Sequence, residues 1–128
     1  RNVKKIFVPR GYDFVPLLNA FNKYAYFSDH TQYKNNYDYN LALLIMNHKL
    51  YMTNESIILF EDENIFSPVS QLNYSYYDDK GALMNTLKTN ENIQCIVGDN
   101  SMSFGAAQKP GLFDYADGTD TMEFLLGL

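Results

Sequence analysis

Apolar residues along this chain occur in short runs and at helical spacing, in an order typical of an α/β fold. Residues 3–8 form a mostly apolar run that predicts a buried strand. A helix is predicted to follow from Asp13, which caps it, with Pro16 in its first turn. The apolar positions of this helix recur every three or four residues: Phe14, Leu17, Leu18 and Phe21.

The next part of the chain is more polar. Residues 24–36 have the composition of a loop, with a short strand over 25–27. A second helix is predicted over 38–47, because apolar residues recur there at helical spacing. A short apolar strand over 56–60 follows, and the acidic residues 61–63 end it.

The stretch from residue 63 to residue 77 is the most informative, because a Phe-Ser-Pro turn leads directly into an aromatic strand. Pro68 fixes its own backbone angle and restricts Ser67 to an extended conformation. Phe66 is therefore expected at a rigid strand entrance, where its ring can form the wall of a pocket.

An acidic break, a helix and another apolar run follow this strand. Asp78 and Asp79 are expected to end the strand and to cap a helix over 82–90. Residues 93–98 predict a second strand, so the three elements would form a β-α-β unit with parallel strands. Cys95 falls on that strand and is expected to be buried and unreactive.

The carboxyl end has a different character. From about residue 99 the periodicity is lost, and glycine and proline interrupt an irregular tail. Residues 122–128 are apolar again and are expected to pack against another surface, either a groove of the same chain or a second copy of it. Because 128 residues suffice for one sizeable core, residues 1–128 are predicted to form a single domain.

Composition narrows the function classes. A net charge of -5 argues against a nucleic-acid partner, because such proteins concentrate lysine and arginine on one face. The single cysteine excludes an internal disulfide framework and fits a reducing compartment. No apolar run approaches the length of a membrane span. We therefore expect a cytoplasmic protein.

No metal site is predicted. His30 and His48 are far apart in the sequence and lack the cysteine or carboxylate spacing of a zinc site. The acidic residues 61–63 would point to alternating sides of an extended segment, so they cannot converge on one cation.

The order of these elements resembles the aldehyde dehydrogenase superfamily. That family has a Glu-Ile-Phe-Gly-Pro-Val turn before a strand, and residues 64–69 read Asn-Ile-Phe-Ser-Pro-Val here. Residues 5–15 are similar to the family's strand and to the Tyr-Asp-Glu-Phe-Val helix start that follows it. Residues 104–111 are similar to its Pro-Phe-Gly-Gly segment.

Within that superfamily, the chain looks most like the bacterial acyl-CoA reductases of the bioluminescence fatty-acid reductase type. Three segments carry this resemblance, and the last of them is the most specific: residues 33–40, 67–70 and 113–122. The resemblance extends over essentially the whole chain.

This resemblance implies an α/β fold, with a mainly parallel sheet and flanking helices, that represents part of an aldehyde-dehydrogenase-like catalytic domain. It implies an enzyme that reduces a fatty acyl thioester, such as acyl-CoA, to an aldehyde with NADPH or NADH. The nucleophilic cysteine of the family falls immediately before Arg1, and most of the cofactor-binding part lies further upstream. The chain would then supply pocket walls, and alone it is expected to be inactive.

Carried over position by position, the resemblance also assigns site residues. Phe66 would flank the cofactor, and Phe104 would line the acyl tunnel, with Gly105 permitting a close backbone approach. Asn64 stands where the family has the glutamate that holds the nicotinamide ribose, so binding there would lack a charge. The neighbouring Glu63 is the candidate substitute.

Two further expectations complete the prediction. In the family, the region after the Phe-Gly-Gly segment lies near the subunit interface, which favours a homodimer through residues 122–128. The alternative function is a non-catalytic α/β binding or assembly domain, because no residue pair in the chain makes a convincing active site unaided.

Overall fold

The computed structural model describes residues 3–98, 101–115 and 119–127. The described residues do not include Asp99 and Asn100, where the predicted tail begins, or Leu128. They also do not include residues 116–118, which belong to the segment that most specifically resembles the acyl-CoA reductases. The chain divides into two compact units, residues 1–78 and 79–128. The expectation of a single domain stays a prediction.

The first unit contains a four-stranded sheet and its helices. The elements in chain order are β1 (Lys5–Pro9), α1 (Val15–Phe21), a 3-10 helix (Asn22–Asp29), α2 (Thr31–Met46), β2 (Tyr51–Thr53), β3 (Ile58–Glu61) and β4 (Gln71–Tyr77). The strand order is β1-β4-β3-β2, with β4 parallel to both of its neighbours and β2 antiparallel to β3. The predicted class, an α/β fold with a mainly parallel sheet, is confirmed.

One face of the sheet carries the larger apolar core. The register places Leu59 of β3 beside Leu72 of β4 on this face. Helix α1 covers the face, and the ring of Phe14 lies 4.6 Å from that of Tyr74 between centroids. The buried members of this core are Val8, Phe14, Leu59, Leu72 and Tyr74.

The opposite face is covered at β2 and β3 by helix α2. Tyr37 and Leu44 of this helix pack with Ile58 of β3 in a second buried cluster. The Tyr37 hydroxyl lies 2.8 Å from Oγ1 of Thr53 at the end of β2. Because side chains alternate along a strand, Ile58 and Leu59 are fully buried on opposite faces.

Helix α2 begins seven residues earlier than the predicted start at 38, at Thr31. Tyr33 in its first turn donates a hydrogen bond of 2.7 Å to the carbonyl of Ser56, which fixes that turn to the rest of the unit. The predicted loop and short strand over 24–36 are therefore wrong. The 3-10 helix before α2 is held by ring contacts, including the stacked pair Tyr26 and Phe27 at 4.7 Å.

The predicted start of the first helix is close to the observed one. Asp13 lies one residue before the N-cap, Phe14, and its carboxylate accepts a hydrogen bond of 2.9 Å from the N–H of Val15. Pro16 lies in the first turn of α1, as predicted.

The second unit contains α3 (Lys80–Lys88), a 3-10 helix (Ala106–Gln108) and α4 (Thr121–Leu126). Asp79 caps α3 as predicted, since its carboxylate accepts a hydrogen bond of 2.8 Å from the N–H of Gly81. None of the helices in the described ranges is both long and apolar enough to cross a membrane.

The predicted strand over 93–98 is wrong, and the β-α-β unit built on it does not form. Within the described residues, this segment makes only an isolated bridge between Val97 and Met102. Gly98 donates to the carbonyl of Met102 at 3.0 Å, and Met102 donates to the carbonyl of Ile96 at 3.3 Å. Cys95 is consequently exposed, and its predicted burial is wrong.

Helix α4 is capped by Asp120, whose carboxylate accepts from the N–H groups of Met122 and Glu123. Its four apolar side chains are all exposed: Met122, Phe124, Leu125 and Leu126. The described residues of the second unit do not bury these side chains, and a groove of the same chain stays a prediction. The other expected partner, a second copy of the chain, stays a prediction.

The burial of Tyr74 makes the stability of the folded chain depend on pH. Burial raises the pKa of Tyr74 to about 12, with Tyr76 and Glu61 adding to the shift. The folded chain then holds this proton more tightly than the unfolded chain, so the stability from Tyr74 is complete below pH 10 and is lost between about pH 10 and 12. We expect the stability difference between wild type and Tyr74→Phe, measured by urea unfolding, to fall in that interval. A stability difference that stays constant across that interval would contradict the raised pKa of Tyr74.

Candidate functional site

The predicted Phe-Ser-Pro turn lies in the connection from β3 to β4, residues 62–70, which we call the strap. Parallel strands are usually joined by a crossover of a dozen or more residues that contains a helix. The strap is shorter and has no helix, so its own backbone cannot satisfy its polar groups. Ser70 ends it in the left-handed region, with φ of 66°, and the chain turns there into β4.

Side chains from the sheet hydrogen-bond the strap's carbonyls. Asn73 of β4, which is 1% exposed, donates to the carbonyls of Asn64 at 3.1 Å and Phe66 at 3.2 Å. The amide of Gln71 donates to the oxygen of the Asn73 side chain at 2.8 Å, which fixes the orientation of that amide. Ser75, next on the same face, donates to the carbonyl of Asp62 at 3.0 Å. The alternate positions of β4 thus hold the first half of the strap.

Three more side chains from outside β4 hold the strap. Lys4 donates to the carbonyl of Ser67 at 3.2 Å, and Lys5 donates to that of Asp62 at 2.8 Å. Asn40 of α2 donates to the carbonyl of Val69 at 2.9 Å. Together with the β4 contacts, these bonds reach the strap from three elements. These partly buried hydrogen bonds hold the strap against the sheet and α2.

Lys5 is the charged member of this network. Its side chain is 4% exposed, its Nζ lies 3.9 Å from a carboxylate oxygen of Glu63, and it lies 5.0 Å from the centroid of the Phe7 ring. Burial lowers the pKa of Lys5, while the charges of Glu63 and Asp62 act in the opposite direction.

All three residues predicted for cofactor binding lie on the strap. Phe66 is 57% exposed, and its N–H donates to the side-chain oxygen of Asn64 at 3.0 Å. Asn64 in turn donates its N–H to the carboxylate of Asp62 at 2.9 Å. The Glu63 side chain is 93% exposed. The structure therefore presents one aromatic ring and one carboxylate on neighbouring parts of a fixed segment.

Ser67 and Pro68 lie beyond Phe66 in the strap. Ser67 is buried, and its hydroxyl has no hydrogen-bond partner among the described residues. The carbonyl of Pro68 accepts the N–H of Gln71 at 3.3 Å, which closes the turn into β4. The predicted role of Pro68 at the strand entrance agrees with this geometry.

The predicted tunnel residues lie in the second unit. Phe104 is 84% exposed, which rules out simple core packing for it among the described residues. Gly105 has φ of 84°, a left-handed conformation that favours glycine, and it precedes the 3-10 helix Ala106–Gln108. The role of both residues in an acyl tunnel stays a prediction.

Other parts of the described chain have fewer groups that could bind a ligand. A shallow depression beside α1 is lined by the polar residues Asn22 and Asn54, but Asn54 already donates to Asn22 at 2.9 Å and to the carbonyl of Leu18. Across the described ranges, no group of three or more His, Cys, Asp or Glu side chains could hold a metal ion.

The supports of the strap were missed from the sequence. Their signal was the alternation in β4, where Gln71, Asn73 and Ser75 alternate with the apolar and aromatic residues of the core face. Such alternation usually marks a solvated sheet face, so a buried polar row was not expected.

Comparison of the chain with protein-family models, with curated proteins and with solved structures gives no match.

Proposed function

We propose that this chain forms part of the catalytic domain of an NAD(P)H-dependent acyl-CoA reductase, which converts a fatty acyl thioester into an aldehyde. The observation that carries the proposal is the strap, where partly buried hydrogen bonds from Asn73 hold the segment that presents the exposed ring of Phe66. A ring held in this way can lie against a flat nicotinamide without a large loss of conformational entropy on binding.

The reaction follows from the resemblance. A cysteine thiolate immediately before Arg1 attacks the thioester carbonyl, and the coenzyme A thiolate leaves, so an acyl-cysteine forms. A reduced nicotinamide, when bound, supplies a hydride to the acyl carbon. The resulting thiohemiacetal collapses to the free aldehyde and regenerates the cysteine thiolate. Within this chain, the strap's part is to orient the cofactor.

The geometry favours Glu63 over Asn64 as the group that holds a ribose hydroxyl. The side-chain oxygen of Asn64 already accepts the N–H of Phe66, so this acceptor serves the strap itself. The carboxylate of Glu63 is exposed and can accept two hydroxyl hydrogens, which suits a vicinal diol. Glu63 thus compensates for the glutamate that the family has at the position of Asn64.

The experiment is an assay of the full-length gene product that contains this chain. With a long-chain acyl-CoA and NADPH or NADH, we expect oxidation of the cofactor together with equal amounts of aldehyde and free coenzyme A. Replacing the cysteine expected before Arg1 by alanine should abolish all three. If neither cofactor is oxidised with any acyl chain length, the proposal fails.

Phe104→Ala in the same protein should weaken the use of long acyl chains more than short ones. A ring that covers about 50 Å² of a long chain contributes about 1.3 kcal/mol, or roughly tenfold in kcat/KM. Phe113→Ala is the matched control, because Phe113 is equally exposed in the same unit. Equal losses for short and long chains would place Phe104 outside the tunnel.

The second candidate function, a non-catalytic binding or assembly domain, is favoured by the exposed apolar side chains of α4. The residue that precedes Arg1 in the reading frame distinguishes the two. A cysteine there, with a nucleotide-binding half further upstream, supports the reductase, whereas a start codon or a linker supports the binding domain.

A further inference from the structure

We infer that Lys5 is a positioning residue for the strap, which holds Asp62 in place and orients the carboxylate of Glu63. The orientation of Glu63 matters for function only if this carboxylate contacts the cofactor, so that part of the inference rests on the proposed function.

The contacts of Asp62 show how the start of the strap is fixed. Its carbonyl accepts from the ammonium of Lys5 at 2.8 Å and from the hydroxyl of Ser75 at 3.0 Å, and its N–H donates to the carbonyl of Tyr74 at 3.1 Å. The peptide groups on both sides of this residue are therefore hydrogen-bonded to the rest of the unit. Glu63 follows directly, so its backbone begins from a fixed point.

A neutral donor would have sufficed to hold a carbonyl, as Ser75 shows. Burying an ammonium costs free energy unless a nearby charge offsets the loss of water. The Glu63 carboxylate, 3.9 Å from the Lys5 nitrogen, is such a charge, yet it stays almost fully exposed. The two charges are so placed that Lys5 attracts Glu63 from beneath the strap, while the outer side of the carboxylate stays open to a ligand.

Lys4 provides a matched control within the same network. It donates to the carbonyl of Ser67 at 3.2 Å, towards the other end of the strap. Removing Lys4 therefore also removes a hydrogen bond from a lysine to the strap, but the lost bond is at Ser67 and not beside Glu63.

The test is a double-mutant cycle in the full-length gene product, with the dissociation constant of NADPH as the readout. Lys5→Met and Glu63→Gln should each weaken binding about tenfold, and the double variant should be weakened by no more than about threefold beyond either single variant. Lys5→Arg, which keeps a charged donor, should recover most of the loss. Lys4→Met combined with Glu63→Gln should show independent effects that multiply. If the effects of Lys5→Met and Glu63→Gln also multiply, Lys5 does not act through Glu63.

A second measurement keeps the inference testable if wild type binds neither NADPH nor NADH, a result that would defeat the proposed function. Hydrogen exchange of the Asn64 and Phe66 amides should be at least about tenfold faster in Lys5→Met than in Lys4→Met, while the Leu72 amide in β4 is unchanged. Exchange at Asn64 and Phe66 that is equal in the two variants overturns the positioning role of Lys5, whatever the protein binds. Faster exchange at these two amides alone supports it.

Discussion

Leu59→Ala is expected to lower the free energy of unfolding by about 3 kcal/mol, because it opens a cavity in a fully buried site. Leu59 lies in the core beneath α1, whereas Ile58 lies in the cluster beneath α2. Ile58→Ala should therefore cost a similar amount, although the two residues share no core. Urea unfolding monitored by circular dichroism measures both.

Leu50→Ala is the control for this pair, since the Leu50 side chain is 92% exposed. It should change the free energy of unfolding by no more than about 0.5 kcal/mol. A loss below about 1 kcal/mol for either Leu59→Ala or Ile58→Ala would show that the sheet is not covered on both faces.

Asn73→Ala is expected to cost about 3 kcal/mol, because it leaves the carbonyls of Asn64 and Phe66 without their donor. Asn73→Asp keeps the size of the side chain and should cost at least as much. Its carboxylate has no N–H to donate and would face two carbonyl oxygens in a buried position. The same urea unfolding measurement applies.

Asn36→Ala is the matched control for Asn73. The Asn36 amide also donates to a backbone carbonyl, that of Gln32 at 2.7 Å, but the residue is exposed on α2. Water can replace that bond, so we expect a change within about 0.5 kcal/mol. If Asn73→Ala is as mild as Asn36→Ala, the strap does not depend on the buried row.

The elements that the sequence predicted correctly are those with strong local signals. The strand over 3–8 is indicated by an apolar run with β-branched and aromatic residues, and the strand after the Phe-Ser-Pro turn by Pro68 and its aromatic residues. The cap of α3 is indicated by the carboxylate of Asp79. The three-residue β2 contains Tyr51 and Thr53, which favour strands, but three residues are too few to show a pattern. Its pairing with β3 is what makes it a strand.

The error at residues 93–98 has the same cause. Ile93, Ile96 and Val97 favour an extended chain, but a strand also needs a neighbour for its hydrogen bonds. The N–H of Ile93 bonds the carbonyl of Asn90, and the segment makes its one described bridge within its own turn. A local pattern cannot show whether a sheet edge is available.

The candidate site was predictable only at its surface. Pro68 indicated that Phe66 would be held rigidly before the strand, and the structure places Phe66 in the strap, where its carbonyl accepts a hydrogen bond from Asn73. The donors beneath it were not predictable, because Lys5, Asn40 and Asn73 are residues that usually face water. Each is buried here because it bonds a carbonyl of the strap, as Lys5 does with Asp62. These contacts form only in the folded chain, so the sequence pattern does not show them.

The most direct measurement of the central claim is a titration of NADPH into the full-length gene product, wild type and Phe66→Ala, followed by cofactor fluorescence. Phe27→Ala is the control, since Phe27 is a partly exposed ring in the aromatic contacts of the 3-10 helix before α2. If the strap presents Phe66 to the cofactor, wild type and Phe27→Ala bind alike and Phe66→Ala binds about tenfold more weakly. If neither NADPH nor NADH binds to wild type, or if the cofactor binds equally to all three proteins, the strap is not a cofactor site.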